Sequence, residues 1–371
     1  MPLFHGVSFG ANAEPRYQQK ALSEWLSLYQ ERWGDVPPPG NYQIIDAIQH
    51  IGTNARPWLK KWIRSDDPIL SRYAVLGYGF LRDEACREIP ELTRQMNDWH
   101  SLKLATNAAL VLASLGKEGL PSLTPLATNQ ASPVPLRLQV VQSISAMGYH
   151  MNGLGNLTQM GTNARTATPV LVDCLRDKDW QVAAAAANGL GAYTIEPKLS
   201  VPALAACLFS RTNALVHSPD DDDPHHWHGD VSVRHCAASA LGEFGEIIQR
   251  GGFEYSPPME PSVIAEYREV ISLAVPALVK ALSDEDYRVA YQAAISLGRT
   301  QIEPELVVPA LANSLKHPEP MVRRYAASAL GKFGEAAREA IPALTRAKGD
   351  AWPGAEWEAA DALKKITSQA K

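Results

Sequence analysis

Apolar side chains along this chain recur every third or fourth residue, in short blocks separated by polar turns. That spacing predicts helices with one buried stripe, not strands. The blocks come in pairs. In the clearest pair Val308 to Lys316 forms a first helix, His317-Pro318-Glu319-Pro320 a turn, and Met321 to Gly331 a second helix ending in Leu-Gly. A proline sits beside the first apolar block each time, at Pro57, Pro90, Pro202, Pro276, Pro309 and Pro342. The interval is 33 residues from Pro57 to Pro90, from Pro276 to Pro309 and from Pro309 to Pro342. Proline in a first turn sacrifices no helical hydrogen bond, and glycine at the far end can adopt the left-handed conformation that stops a helix.

The second helices share a register. Val182 to Gly191, Val233 to Gly242 and Val322 to Gly331 each begin with valine, carry alanines four and five positions on, and close with Leu-Gly. Small side chains on one face let the next helix approach closely. One such pair cannot bury its own apolar side, so a period of this length predicts stacked layers. The predicted fold is all-α: a right-handed α-solenoid of about nine antiparallel helix pairs. Residues 1–16 read as a flexible N-terminus and 17–371 as a single solenoid. Within it, 17–53 form an N-terminal cap pair with Trp25, Trp33, Trp58 and Trp62 at or near it, 54–148 hold degenerate repeats, and 165–368 hold clear ones. Longer proline intervals place insertions at 149–161, 212–230 and 246–262. The last leads into a helix expected to lengthen the repeat that follows.

The Val-Pro-Ala-Leu first helix, an Asp-rich turn such as Ser283-Asp284-Glu285-Asp286, and the Val-Arg-x-x-Ala-Ala-x-x-Leu-Gly second helix resemble the HEAT-repeat superfamily, in particular its short phycobilisome-lyase-type repeats. The opening stretch Tyr17 to Arg64 is similar to the N-terminal part of uncharacterised bacterial HEAT-repeat proteins. The resemblance implies a superhelix of antiparallel helix pairs that holds partner proteins. Members with chemistry of their own need further features. Deoxyhypusine hydroxylases need paired His-Glu steps, and this chain contains no His-Glu dipeptide. HEAT-like DNA glycosylases need a basic face to hold a phosphate backbone.

Charge changes the picture locally. The formal net charge is -5, and residues 161–260 carry an excess of six acidic side chains, four of them at Asp220 to Asp223. No basic stripe accompanies this, so no nucleic-acid partner is expected. Cys86, Cys174, Cys207 and Cys236 are far apart and read as free thiols within helices. No apolar run reaches the roughly 18 residues that a membrane span requires. A cytoplasmic location is expected, or export if the true start lies upstream and encodes a signal peptide.

Candidate chemistry concentrates in the acidic, histidine-rich insertion. His217, His225, His226 and His228 beside Asp220 to Asp223 offer imidazoles and carboxylates to a metal, although their spacing matches no established motif. Trp227 in the same loop, with Arg234, Arg288, Arg323, Arg324 and Tyr325 on the second helices, forms the candidate partner-binding set. The recurring cations Arg72, Lys103, Arg137, Arg234, Arg288 and Arg323 stand at or near second-helix starts, where they can pair with the acidic turns. Phosphate-loop, dinucleotide-binding and nucleophile-elbow motifs are absent. The sequence thus favours a non-enzymatic scaffold for a protein or peptide, with no cofactor. A bilin-lyase-like activity, or metal binding through the 217–230 loop, is the alternative.

Overall fold

The computed structural model describes residues 13–29, 40–98, 100–146, 157–209, 232–252 and 258–368. Helices dominate it. The only strands among the described residues are Arg16–Tyr17 and Lys20–Ala21, an antiparallel ribbon closed through Gln18 and Gln19 at positive φ. The chain divides into two compact units, Met1–Ala167 and Thr168–Lys371.

In the first unit the ribbon leads into Leu22–Ser27, which packs on Gly40–Ile51. Trp25 is buried there, and its indole N–H donates to the Tyr17 carbonyl at 3.0 Å. Three pairs follow: Arg56–Trp62 with Pro68–Leu81, Ile89–Met96 with Leu102–Ser114, and Leu120–Thr128 with Val134–Ala146. Pro57, Pro90 and Pro121 each occupy the first turn of their helix, as the sequence pattern predicts. The second helices of these pairs lie against one another in chain order. Lys103 reaches back one layer to donate to the Asp66 carbonyl at 2.7 Å, and Arg137 donates to the Ser132 carbonyl at the turn before its own helix. Glu88, almost fully buried, takes hydrogen bonds from Lys60 and Arg56. Burial acts to raise its pKa, yet these two cations hold it below the ordinary carboxylate value.

In the second unit the second helices are Trp180–Tyr193, Val233–Arg250, Tyr287–Thr300, Pro320–Phe333 and Pro353–Ser368, and each packs on the next. The first helices Pro197–Cys207, Val275–Ala281, Pro304–Ser314 and Ile341–Ala347 cover one side of that row. At the end of the 246–262 insertion begins a helix of its own, Pro261–Ser272, separated from Val275–Ala281 at Leu273 and Ala274, and it packs against Pro197–Cys207 and Val233–Arg250. Its Tyr267 hydroxyl donates to the Thr194 carbonyl at 2.9 Å.

Two local expectations are corrected. Pro202 and Pro309 lie inside their helices, which begin earlier, at Pro197 and Pro304. The Leu-Gly pairs do not end the second helices, which run through Gly191, Gly242, Gly298 and Gly331. They stop instead at left-handed Thr194 and Gln301, at Gly251, and at Gly334. The internal glycines serve contact. A Cβ on Gly191 would lie 2.8 Å from the Cα of Ala240, one on Gly298 2.9 Å from that of Ala329, and one on Gly331 3.1 Å from that of Ala362. Gly242 meets Ser296 in the same way. A repeating glycine-to-small-residue contact therefore sets how closely adjacent layers approach.

Candidate functional site

Acidic turns position the starts of the second helices Trp180–Tyr193 and Tyr287–Thr300 in the Thr168–Lys371 unit. Asp286 caps its helix by accepting from the Arg288 backbone N–H at 3.0 Å, while Asp284 accepts from the Asp286 N–H at 2.9 Å. Asp179 and Asp177 repeat the arrangement two layers earlier in sequence, with Asp179 accepting from the Gln181 N–H at 3.0 Å. Such caps satisfy backbone donors that the helix leaves orphaned.

Arginines tie these turns together across layers. Arg234 crosses to Asp284 at 3.0 Å. Arg323 grips Asp350 through two hydrogen bonds of 2.6 and 2.8 Å and donates to the carbonyls of His317 and Pro318. Arg288 pairs with Asp286 in its own turn. Of the candidate partner-binding residues, Arg234, Arg288 and Arg323 are thus engaged within the chain. The Arg323 hydrogen bonds hold Asp350 below the ordinary carboxylate pKa, whereas burial pushes Asp284 above it in spite of Arg234.

Arg324 and Tyr325 belong to a different surface, beside the layer contacts on the second helices. Tyr287 is exposed, with its ring 6.2 Å from Tyr291. Tyr291 in turn lies 5.4 Å from Tyr325 on the next helix. His235 meets Tyr291 edge-on at 5.8 Å from the preceding helix. The Arg324 guanidinium lies 5.3 Å from the Tyr325 ring centroid and its Nε 3.4 Å from Glu358. Two turns further along the same helix is Lys332, whose neighbours in the flanking layers include Arg299 and Lys365.

The electrostatics of this surface follow from partial burial. His235 Nδ1 lies 3.1 Å from the Arg288 carbonyl, which can only accept, so Nδ1 carries the proton. Burial holds the His235 pKa below its ordinary value, and the ring is neutral at pH 7. Burial, with Tyr325 and Tyr287 nearby, pushes Tyr291 up to about 12, keeping it a neutral phenol. Burial also raises Cys207 and Cys236 to about 11, which leaves their thiols protonated and poorly nucleophilic. The arrangement offers ring faces, phenol hydroxyls and cations to a ligand.

His217, His225, His226, His228 and Trp227 lie outside the described residues. Among the described residues no group of three or more His, Cys, Asp and Glu is arranged to hold a metal, and no helix is long and apolar enough to cross a membrane. Sequence reasoning singled out Arg324 and Tyr325 but missed Tyr287, Tyr291, His235 and Lys332. A signal was present: Tyr291 occupies the register position of His235 and Arg324, two residues after the valine. Comparing that outward position across repeats, instead of the buried alanines, would have found the row.

No curated protein matches the chain. Among solved structures, an engineered protein is 19% identical over 94% of this chain and 89% of its own, with a TM-score of 0.48. The E. coli protein YibA is 15% identical over 91% and 99% of the two chains, with a TM-score of 0.46. The complex of CpcE and CpcF of phycocyanin lyase from Nostoc sp. is 19% identical over 75% and 94%, with a TM-score of 0.36. Residues 275–364, which run through the last three helix pairs, match the family described as HEAT repeats, and this stretch of the chain is built of them.

Proposed function

We propose that this protein is a non-enzymatic interaction scaffold that binds a partner protein or an extended peptide on the second-helix face of the Thr168–Lys371 unit. The observation that carries the reading is the row of His235, Tyr291, Tyr287 and Tyr325, assembled from three successive helices. Tyrosine combines a large apolar ring with a hydroxyl and has few torsions to freeze, which makes it a frequent centre of binding energy. Here the rings stand on stacked helices whose spacing is fixed by glycine contacts, so little ordering entropy remains to be lost on association.

The reading predicts that a partner captured from lysate of the source organism by the immobilised protein is lost when Tyr291 and Tyr325 are both changed to alanine. Deletion of 212–230 in a separate variant asks whether the insertion contributes. Retention of the partner by the double alanine variant, with unchanged helicity, would reject this face as the binding surface.

A further inference from the structure

Lys332 stands out on this face for what surrounds it. Arg299 pairs with Glu243 and Glu246, Lys365 with Asp361 at 2.6 Å, and Arg324 with Glu358. Among the described residues the Lys332 ammonium has no carboxylate within 4.0 Å. The charged groups that act on it are Glu246 and Glu358, which favour its charge, and Arg299 and Lys365, which oppose it. Its stem lies across Gly298, 3.4 Å from where a Cβ would stand. The absence of a side chain at Gly298 leaves room for the lysine to lie flat along the layer junction. Burial of that stem and the two flanking cations pull its pKa below the ordinary lysine value, and the charge of a carboxylate beside the ammonium would offset both effects.

The position relative to the tyrosines is also informative. Seven residues separate Tyr325 from Lys332, two helical turns, which puts both side chains on one stripe about 10 Å apart. Three residues of peptide in the extended polyproline II conformation, at about 3.1 Å each, cover roughly the same distance and return the side chain to the same side.

We propose that this face takes an extended acidic segment of a partner protein, with an apolar side chain resting on Tyr291 and Tyr325 and a carboxylate about three residues away meeting Lys332. The inference rests on the partner-binding reading of the tyrosine row and adds the chemistry of the occupant. Charge complementarity selects it: a carboxylate there completes the pairing that Arg299, Lys365 and Arg324 already have.

The test uses the full chain and two fluorescein-labelled synthetic peptides in a Gly/Ser background. One carries repeated leucine and glutamate about three residues apart; the other has lysine in place of each glutamate. Fluorescence anisotropy is expected to show saturable binding of the glutamate peptide, with the lysine peptide at least about tenfold weaker, as suits one charge-assisted hydrogen bond. Lys332→Glu should reverse that preference, and Tyr291→Ala with Tyr325→Ala should abolish binding of both. Thermal unfolding followed by circular dichroism shows that each variant remains folded. Glutamate-peptide binding that ignores Lys332→Glu but is lost in the tyrosine variant overturns the carboxylate site alone. Binding that survives the tyrosine variant overturns the tyrosine face as well. Absence of saturable glutamate-peptide binding overturns the acidic segment and leaves the affinity-capture experiment as the measure of the scaffold reading.

Discussion

Gly298 and Ala329 are in backbone contact across a layer junction: a Cβ on Gly298 would lie 2.9 Å from both the Cα and the Cβ of Ala329. Alanine normally stabilises a helix interior over glycine by about 1 kcal/mol. Overpacking against a backbone that cannot swing aside costs about 1–3 kcal/mol. Gly298→Ala is therefore expected to destabilise the unit by up to about 2 kcal/mol, measured as a lower midpoint in urea. A raised midpoint would show that the layers separate easily and that the glycine is not needed for contact.

The helix stop at Gln301 makes the opposite prediction for a glycine. Gln301 has φ near 50° and donates its N–H to the Leu297 carbonyl at 3.1 Å, closing the Tyr287–Thr300 helix. A non-glycine residue in that conformation is strained by about 1–2 kcal/mol. Glycine removes the strain but adds freedom to the unfolded chain, about 0.5–1 kcal/mol in the other direction. Gln301→Gly should raise stability by about 0.5–1 kcal/mol, read from chemical denaturation, and a loss would contradict the assigned stop.

Asp350 supplies a pH-dependent contribution. Its pKa is lowered chiefly by the hydrogen bonds from Arg323, so the folded state favours the ionised form. The stabilisation is present above the unfolded carboxylate pKa and is lost as pH falls through the lower folded value. Asp350→Asn should cost about 2 kcal/mol at pH 7, because it leaves a largely buried guanidinium without its counter-ion. The gap between wild type and variant should begin to narrow below about pH 4 and go on shrinking as pH falls through the lower folded value. Denaturant midpoints at pH 7 and pH 3 measure it, and a gap independent of pH would refute the charge pairing.

His235 titrates with the opposite preference for charge. Burial lowers its folded pKa, while the Arg288 carbonyl and Asp286 act to raise it and Arg288 lowers it again. Its neutral form is favoured on folding, so the contribution is complete above about pH 6.5 and falls as pH drops toward the lower folded value. His235→Gln can keep a hydrogen bond to the carbonyl without titrating. The thermal midpoint of wild type should therefore fall more steeply than that of the variant between pH 7 and pH 5. Parallel curves would remove His235 as a source of acid sensitivity.

Legibility varied with the kind of constraint. Pairing of Ile89–Met96 with Leu102–Ser114 and of Val134–Ala146 with the helix before it follows from apolar spacing and prolines within about ten residues. The stopping points of the second helices were misread because Leu-Gly satisfies two demands: glycine at a helix end and glycine at a close approach look the same in a sequence. Likewise Pro202 and Pro309 carry the period, but helix starts moved to Pro197 and Pro304, where a second proline stood in the sequence unread. That Arg234 and Arg323 can pair with acidic turns follows from their positions at second-helix starts; which carboxylates take them, Asp284 and Asp350, roughly 50 and 27 residues on, is set only once the layers stack.

The sequence by itself determined the helical class, the period and most helix pairs, because these depend on which side chains recur on one face and on local backbone preferences. The tertiary structure decided which cations remain without a carboxylate, where the glycines touch, and that Tyr287, Tyr291, Tyr325 and His235 stand together. Those properties depend on distances between residues of different repeats, and the layer spacing that sets them is a property of packing.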